Sequence, residues 1–298
     1  MSSFFCPACR QWQPRANPDQ AGRERRCPTC RSLERHRTLA LLLPALGGLV
    51  GPGLTVDVAP ATSLDASLRR LPQQRRVRLD FDPAADGRAV DLRASVTDLP
   101  FPDASVQFML CSHVLEHVPD DRRAMREIAR VLTPTGVALV AVPIRGGRTD
   151  EDPSAPREER IRRFGQADHV RFYGDDFDGR LLEAGLQVRS ITPTDLAPPE
   201  VIRVMRLMAH ERFWLLRAPS SSVEFGPGEL AAGVLAEAWT VIDAALQGDA
   251  GLARLAADGE RLARQLRRID TLRGNSAVRL LLAARPRGRR AVTLARRG

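Results

Sequence analysis

The chain contains no lysine: all 45 of its basic residues are arginine, against 36 acidic ones, for a formal net charge of +9 over 298 residues. An all-arginine chain rich in alanine and proline is what a GC-rich coding sequence tends to produce. The charge alone therefore does not mark a polyanion-binding surface, and the expectation is arginines spread over solvated faces. Aromatic residues are scarce, 5% with a single tyrosine. No basic run is interleaved with aromatics as a base-stacking platform for RNA would require. No stretch reaches the ~18 apolar residues of a membrane span, and the longest candidate, TLALLLPALGGLV, is broken by Pro44 and two glycines. The opening MSSFFCPACRQWQPR has no basic-then-apolar leader, so the expected location is the cytoplasm. No internal repeat is evident. What is present, 43% hydrophobic and 27% charged residues, fits a soluble chain of roughly two domains, one large enough for a sizeable core.

Four of the five cysteines fall in the first 30 residues, as CPAC (Cys6, Cys9) and CPTC (Cys27, Cys30). Each C-x-x-C offers two thiolates from one tight turn, and two such turns close a tetrahedral zinc shell. In a reducing compartment the disulfide alternative is poor; redox chemistry and a metal-free relic remain as the other readings. With four protein ligands the ion would be structural, with no position open for catalysis. The segment between the pairs, with Trp12, is too short to build a core without metal.

Downstream, Ser32 reads as a helix N-cap, followed by an apolar stripe of Leu33, Leu39, Leu42 and Leu43. Short apolar or β-branched runs at 53–59, 76–81, 106–111, 136–143, 186–191 and 212–217 alternate with helical patterns, clearest at 119–132 and 175–185. That alternation predicts an α/β fold of Rossmann-like, doubly wound type, with a mostly parallel sheet covered on both faces. Ligands in such sheets sit beyond the carboxyl ends of the strands.

At one such end lies CSHVLEHVPDD, in which His113, Glu116 and His117 have the H-x-x-E-H spacing of a class of zinc peptidases. That chemistry needs one continuous helix carrying both histidines. Here the motif follows directly on the apolar run VQFMLCS, and Pro119 stands two residues after His117. The strand tip, not a peptidase helix, is the expected setting.

The block VTDLPFPDASVQFMLCSHVLEHVPDDRRAMREIARVLTPTGVALVAVP resembles the centre of the class I S-adenosylmethionine-dependent methyltransferases, small-molecule (type 11-like) branch. CPTCRSLERHR, then VDVAP, and later RFGQADHVRFYGDDF resemble a subgroup with a zinc ribbon in front of that domain. The resemblance covers roughly residues 1–217. It implies a zinc ribbon over 1–35, a methyltransferase domain over 36–218, and beyond it a helical extension over 219–298.

The resemblance also implies site residues. Asp80, with Asp82 in reserve, would accept hydrogen bonds from the cofactor's ribose, and Phe81 would pack on the adenine. Ser95 stands where the family has an acidic adenine contact, with Val96 supplying a backbone N–H, and Ser112 and His113 would line the pocket beside the sulfonium. Asp57 keeps the acidic position of the first strand, but the expected G-x-G-x-G turn reads VDVAPATS, with Ala59 and Pro60 leaving less room and fewer donors. Gln107 and Thr133 to Thr135 also depart from the family pattern. Methyl transfer from S-adenosylmethionine needs in-line alignment and a base for a hydroxyl or amine acceptor. His113 and His169 are the candidates, a structural role being the alternative for each. Tyr173 is a candidate for shaping the acceptor site, and Glu116 and His117 would fix the loop.

Past residue 217, APSSSVEFGPGE reads as a linker, followed by helical patterns at 229–246 and 250–270 and an arginine-rich tail from Arg273 that is expected to be solvated. Three functions remain in view: methylation of a small molecule or sugar-containing metabolite, methylation of RNA, and a zinc-ribbon interaction protein whose methyltransferase fold no longer binds cofactor.

Overall fold

The computed structural model describes residues 3–19, 22–72, 75–84, 89–197 and 199–222. The helical patterns at 229–246 and 250–270 and the arginine-rich tail lie outside the described residues. The chain divides into two compact units, Met1–Ala245 and Leu246–Gly298, and all described residues belong to the first.

Two short hairpins come first, β1 (Phe4–Cys6) with β2 (Gln11–Gln13), and β3 (Asn17–Pro18) with β4 (Glu24–Arg26). Phe4 and Phe5 are fully buried, and Trp12 packs edge-on against Phe5 at 5.6 Å. Helix α1 (Glu34–Ala45) follows, with Leu39 to Leu43 all buried. Ser32 does not cap it. The N-cap position is Leu33, and the buried Ser32 hydroxyl lies 3.2 Å from the sulfurs of both Cys6 and Cys30.

The remaining elements are β5 (Leu54–Val58), α2 (Asp65–Leu68), β6 (Arg75–Asp80), β7 (Leu92–Arg93), β8 (Val106–Ser112), α3 (Asp121–Val131), β9 (Leu132–Ala141), β10 (Asp150–Glu151), α4 (Arg157–Phe164), β11 (Arg171–Phe172), α5 (Phe177–Glu183), β12 (Gln187–Ile191), α6 (Pro193–Leu196), α7 (Pro199–Val204) and β13 (Phe213–Arg217). Seven strands form one sheet in the order β12-β13-β9-β8-β5-β6-β7. Only β13 runs against the others, paired antiparallel to both β12 and β9. This is the α/β, doubly wound, mostly parallel architecture expected from the alternating pattern. The chain leaves β5 for β6 and β7 on one side, then returns to place β8 on the other. The strand order thus reverses between β5 and β8, the switch point at which such sheets open a crevice.

The core lies on both faces of these central strands: Val56, Met109, Ala138 and Val140 are fully buried, as is Cys111. Helix α3 shows why the local pattern works. The Asp120 carboxylate accepts a hydrogen bond from the Arg123 N–H at 2.9 Å, and Ala124, Met125, Ile128 and Val131 form the buried face. Strand β9 starts four residues ahead of the apolar run. The reason is a mutual contact between two departures from the family pattern. Gln107 accepts from the Thr133 hydroxyl at 2.9 Å and donates to the Thr135 carbonyl at 3.1 Å.

The expectation of arginines confined to solvated faces does not hold. Arg37, Arg171 and Arg217 are among the largest fully buried side chains. The Arg37 guanidinium donates to the carbonyls of Arg206 (2.8 Å), Met205 (3.0 Å), Arg25 (3.1 Å) and Ser32 (3.1 Å), joining the hairpins, α1 and the segment after α7. A five-donor planar fork suits this use, because several carbonyls can be satisfied at once.

Candidate functional site

The cysteine pairs meet as their spacing predicts. Cys6 and Cys30 sulfurs lie 3.6 Å apart and Cys9 and Cys27 sulfurs 3.7 Å apart. Zn–S bonds of ~2.3 Å place tetrahedral sulfurs about 3.8 Å from one another, so the donor set fits a zinc ion with little adjustment. Arg10 and Arg31, each directly after the second cysteine of its pair, adopt left-handed backbone with φ of 56° and 60°, so both turns have the same shape. Contact with Cys27 pushes the Cys9 thiol up and the Cys30 thiol down. Four sulfurs this close ionise together only around a cation. The Gln13 amide reaches Cys9 at 3.8 Å.

The second constellation sits at the carboxyl edge of the sheet, on either side of the switch point. Strand β5 ends at Val58, and the next residue, Ala59, has a φ of 51° and donates its N–H to Leu79 O at 2.8 Å. The backbone thus takes the left-handed turn that glycine provides in the family motif, with an alanine strained into it. Asp57, one strand residue earlier, is buried, and burial pushes its carboxyl up to about 6 against the opposing hydrogen bond from Arg76. Arg76 also bonds Asp65 at 2.7 Å, tying β5, β6 and α2 together.

At the tip of β6 Asp80 is buried and accepts from the Asp82 N–H at 3.1 Å, while the next side chain, Phe81, is 69% exposed. An acid at the strand end beside an uncovered ring is a donor set suited to a nucleoside: hydroxyls for the carboxylate, a flat base for the phenyl. Ser95 turns its hydroxyl onto Thr97 at 2.8 Å, and its backbone bridges to Asp98. Val96 is buried beside it.

Across the switch point, β8 delivers Ser112, whose buried hydroxyl has no hydrogen-bond partner, and His113, which turns through φ 57° and is pinned by its N–H to Ala141 O at 2.7 Å. His113 Nδ1 lies 3.1 Å from Glu116, and its Nε2 lies 3.9 Å from Glu211. Burial opposes ionisation of both partners. The contact outweighs it, holding Glu116 below the usual carboxylate range and His113 above the usual imidazole range. Glu211, arriving from the loop before β13, was not legible in the sequence: no spacing links it to His113.

Glu116 and His117 fall on a single 3-10 turn, Leu115–His117, so the H-x-x-E-H residues do not share a long helix. His169 is buried and packs edge-on to His117, ring centroids 4.6 Å apart, and burial lowers its pKa. Tyr173 does not line an acceptor site. It is fully buried, donates to Asp121 at 2.8 Å and packs on Phe177. Beside this edge a cleft of about 550 Å³ is lined by Glu34, Ile202, Arg206, Leu207, Met208 and His210 among others, ending one residue from Glu211.

Residues 54–140, from the first residue of β5 almost to the end of β9, match a family model described as a methyltransferase domain. A Mycobacterium tuberculosis protein named "Probable S-adenosylmethionine-dependent methyltransferase" is 43% identical over 76 residues, 23% of this chain and 28% of its own length. The 27-O-demethylrifamycin SV methyltransferase of Amycolatopsis mediterranei is 34% identical over 109 residues, 35% of this chain and 38% of that one. The malonyl-[acyl-carrier protein] O-methyltransferase of Halorhodospira halophila is 32% identical over 165 residues, 51% and 48% of the two chains. The chain thus spans at most about half the length of these relatives. Among solved structures, a chain of the complex between the Haloferax volcanii Trm112 methyltransferase activator and its methyltransferase covers 62% of this chain and 91% of its own, at 20% identity and a TM-score of 0.44. No helix of the described residues is long and apolar enough to cross a membrane.

Proposed function

We propose that this chain is an S-adenosylmethionine-dependent methyltransferase that methylates an oxygen or nitrogen of a small molecule or sugar-containing metabolite, with an N-terminal ribbon organised by structural zinc. The observation that carries the reading is the switch-point edge. Left-handed Ala59, buried Asp80 and exposed Phe81 stand together there, inside the stretch matched by the methyltransferase domain model. The names of the Amycolatopsis and Halorhodospira relatives support an oxygen acceptor, and the rifamycin of the first supports a small molecule.

Bound S-adenosylmethionine would supply an activated methyl group on its sulfonium. The chain's own part is to hold and orient. Asp80 would accept from the ribose hydroxyls, Phe81 would cover one face of the adenine, and Ser95 and Val96 would border its edge. The turn at Ala59 brings backbone close to the amino-acid part, and the Asp57–Arg76–Asp65 contacts keep that turn in place. Ser112 and His113 line the reacting end. The acceptor enters along the cleft lined by Leu207, Met208 and His210, next in sequence to Glu211, and His113, whose Nε2 lies 3.9 Å from Glu211, is the candidate to take the acceptor's proton. His169, on the far side of Glu116, is the second candidate for that step.

Calorimetric titration of zinc-loaded protein with S-adenosylmethionine and S-adenosylhomocysteine tests the reading. Micromolar binding is expected, and Asp80→Ala should weaken it by about 10- to 100-fold, the worth of hydrogen bonds to a charged group. A folded, zinc-loaded protein that binds neither compound would instead be a ribbon-bearing interaction protein.

A further inference from the structure

The carboxylate of Glu116 is fully buried, and His113 Nδ1, 3.1 Å away, is the charged group facing one of its oxygens. Its exposure is 0%, and neither oxygen has an aligned hydrogen-bond partner. It also lies beside His117 and His169, and one ligand atom from each of the three lies within 4.8 Å of the others. His169 is 3% exposed, and its Nδ1 is also buried without a partner. His113 meets only part of the carboxylate, and enclosing its remaining lone pairs with an unmet imidazole nitrogen is unfavourable. A cation placed between them would offset that cost.

We propose that Glu116, His117 and His169 bind a divalent transition-metal ion, zinc being the first candidate, at a site separate from the four cysteines. Two imidazoles and one carboxylate are a donor set that such ions take readily, with positions left open for water or a substrate oxygen. Ligand atoms ~2.1 Å from a tetrahedral zinc stand about 3.4 Å apart, so the present spread of up to 4.8 Å closes by side-chain rotation of roughly an ångström as the ion is taken up.

The surroundings support the assignment. Asp168 lies 3.2 Å from His117 Nδ1, with its own carbonyl at 3.3 Å. A carboxylate or carbonyl holding one ring nitrogen is how ligating histidines are commonly oriented, and it leaves Nε2 for the ion. The two contributing segments are fixed to each other. The Val170 N–H donates to Glu116 O at 2.9 Å, and the buried Arg171 guanidinium spans from Leu115 O (2.9 Å) to Pro119 O (2.9 Å) while pairing with Glu151 (3.0 Å). The ligands are therefore held before any ion arrives. If the methyltransferase reading holds, the ion would fix Glu116, and through it the orientation of His113; ion binding itself does not depend on that reading.

Metal content separates the two questions because it requires no cofactor. Wild-type protein equilibrated with buffered zinc, desalted and measured by elemental mass spectrometry should hold about two ions per chain, and His117→Gln about one. His117 is half-buried, so its replacement spares the core. Cobalt substitution provides the internal control. The thiolate charge-transfer bands of the cysteine site should be unchanged in His117→Gln, with only the weaker visible bands of an N/O site lost. His169→Asn should reproduce the loss. One ion per chain in the wild type, or two retained in His117→Gln, would overturn the proposal whatever the outcome of the S-adenosylmethionine titration.

Discussion

In the ribbon, two C-x-x-C turns supply every sulfur from residues 6 to 30, and the same left-handed residue closes each turn. At the carboxyl edge of the sheet, the candidate residues Asp57, Asp80 and His113 come from or directly follow three different strands, and Glu211 reaches His113 from the loop before a fourth. The ribbon has few buried apolar side chains of its own to support its shape, whereas the sheet's central strands are covered on both faces. A ligand site can thus be written locally, with the ion supplying the stability, or assembled at the rim of a core that is stable without it.

The sharpest break of this comparison is removal of the metal proposed for the ribbon. Chelation, or Cys27→Ser with Cys30→Ser, should forfeit on the order of 10 kcal/mol of metal-linked folding energy within the ribbon. Limited proteolysis should then cut among residues 3–30 while circular dichroism retains the signal of the α/β core. Equal loss in both regions would mean that the sheet depends on the ribbon.

Arg37 is where the regions join, and Arg37→Met should cost about 3 kcal/mol in urea unfolding, since four buried carbonyls lose a charged donor. A smaller effect comes from His36, on α1 beside that junction, whose pKa burial pushes down from 6.5 to about 3. The folded chain holds this imidazole neutral while the unfolded chain protonates it. Its contribution is therefore present above pH 6.5 and lost as pH falls toward 3. His36→Gln should flatten the slope of unfolding free energy across that window by about 1–2 kcal/mol, allowing for partial exposure.

The smallest effect is backbone relief, and it puts the two regions on one scale. Ala59→Gly at the sheet edge and Arg31→Gly in the ribbon should each raise stability by about 1 kcal/mol, since both residues occupy left-handed backbone that glycine adopts without strain. A destabilised Ala59→Gly, measured by thermal unfolding, would mean that the alanine methyl packs usefully at the cofactor turn.

Much of this molecule was legible in advance. The six apolar runs became the six longest strands of the main sheet because period and β-branching are local properties, and helix α3 falls within the helical pattern over 119–132 for the same reason. Ser32 was misread because a serine before a helix looks the same whether it caps the N-terminus or turns toward a pair of thiols. Tyr173 was misread because a hydroxyl's partner, here Asp121, is chosen by packing.

The amino-acid order alone determined the cysteine knuckles, the alternation of strand and helix, and the strand tip that carries Ser112 and His113, since each follows from spacing within one or two turns of chain. Only the tertiary structure decided that β13 runs antiparallel, that Arg37 lies inside, that Glu211 faces His113, and that His169 meets Glu116 and His117. These contacts join residues far apart in the chain. Burial selects them by requiring each enclosed charge to find a partner, and no local pattern records which partner that will be.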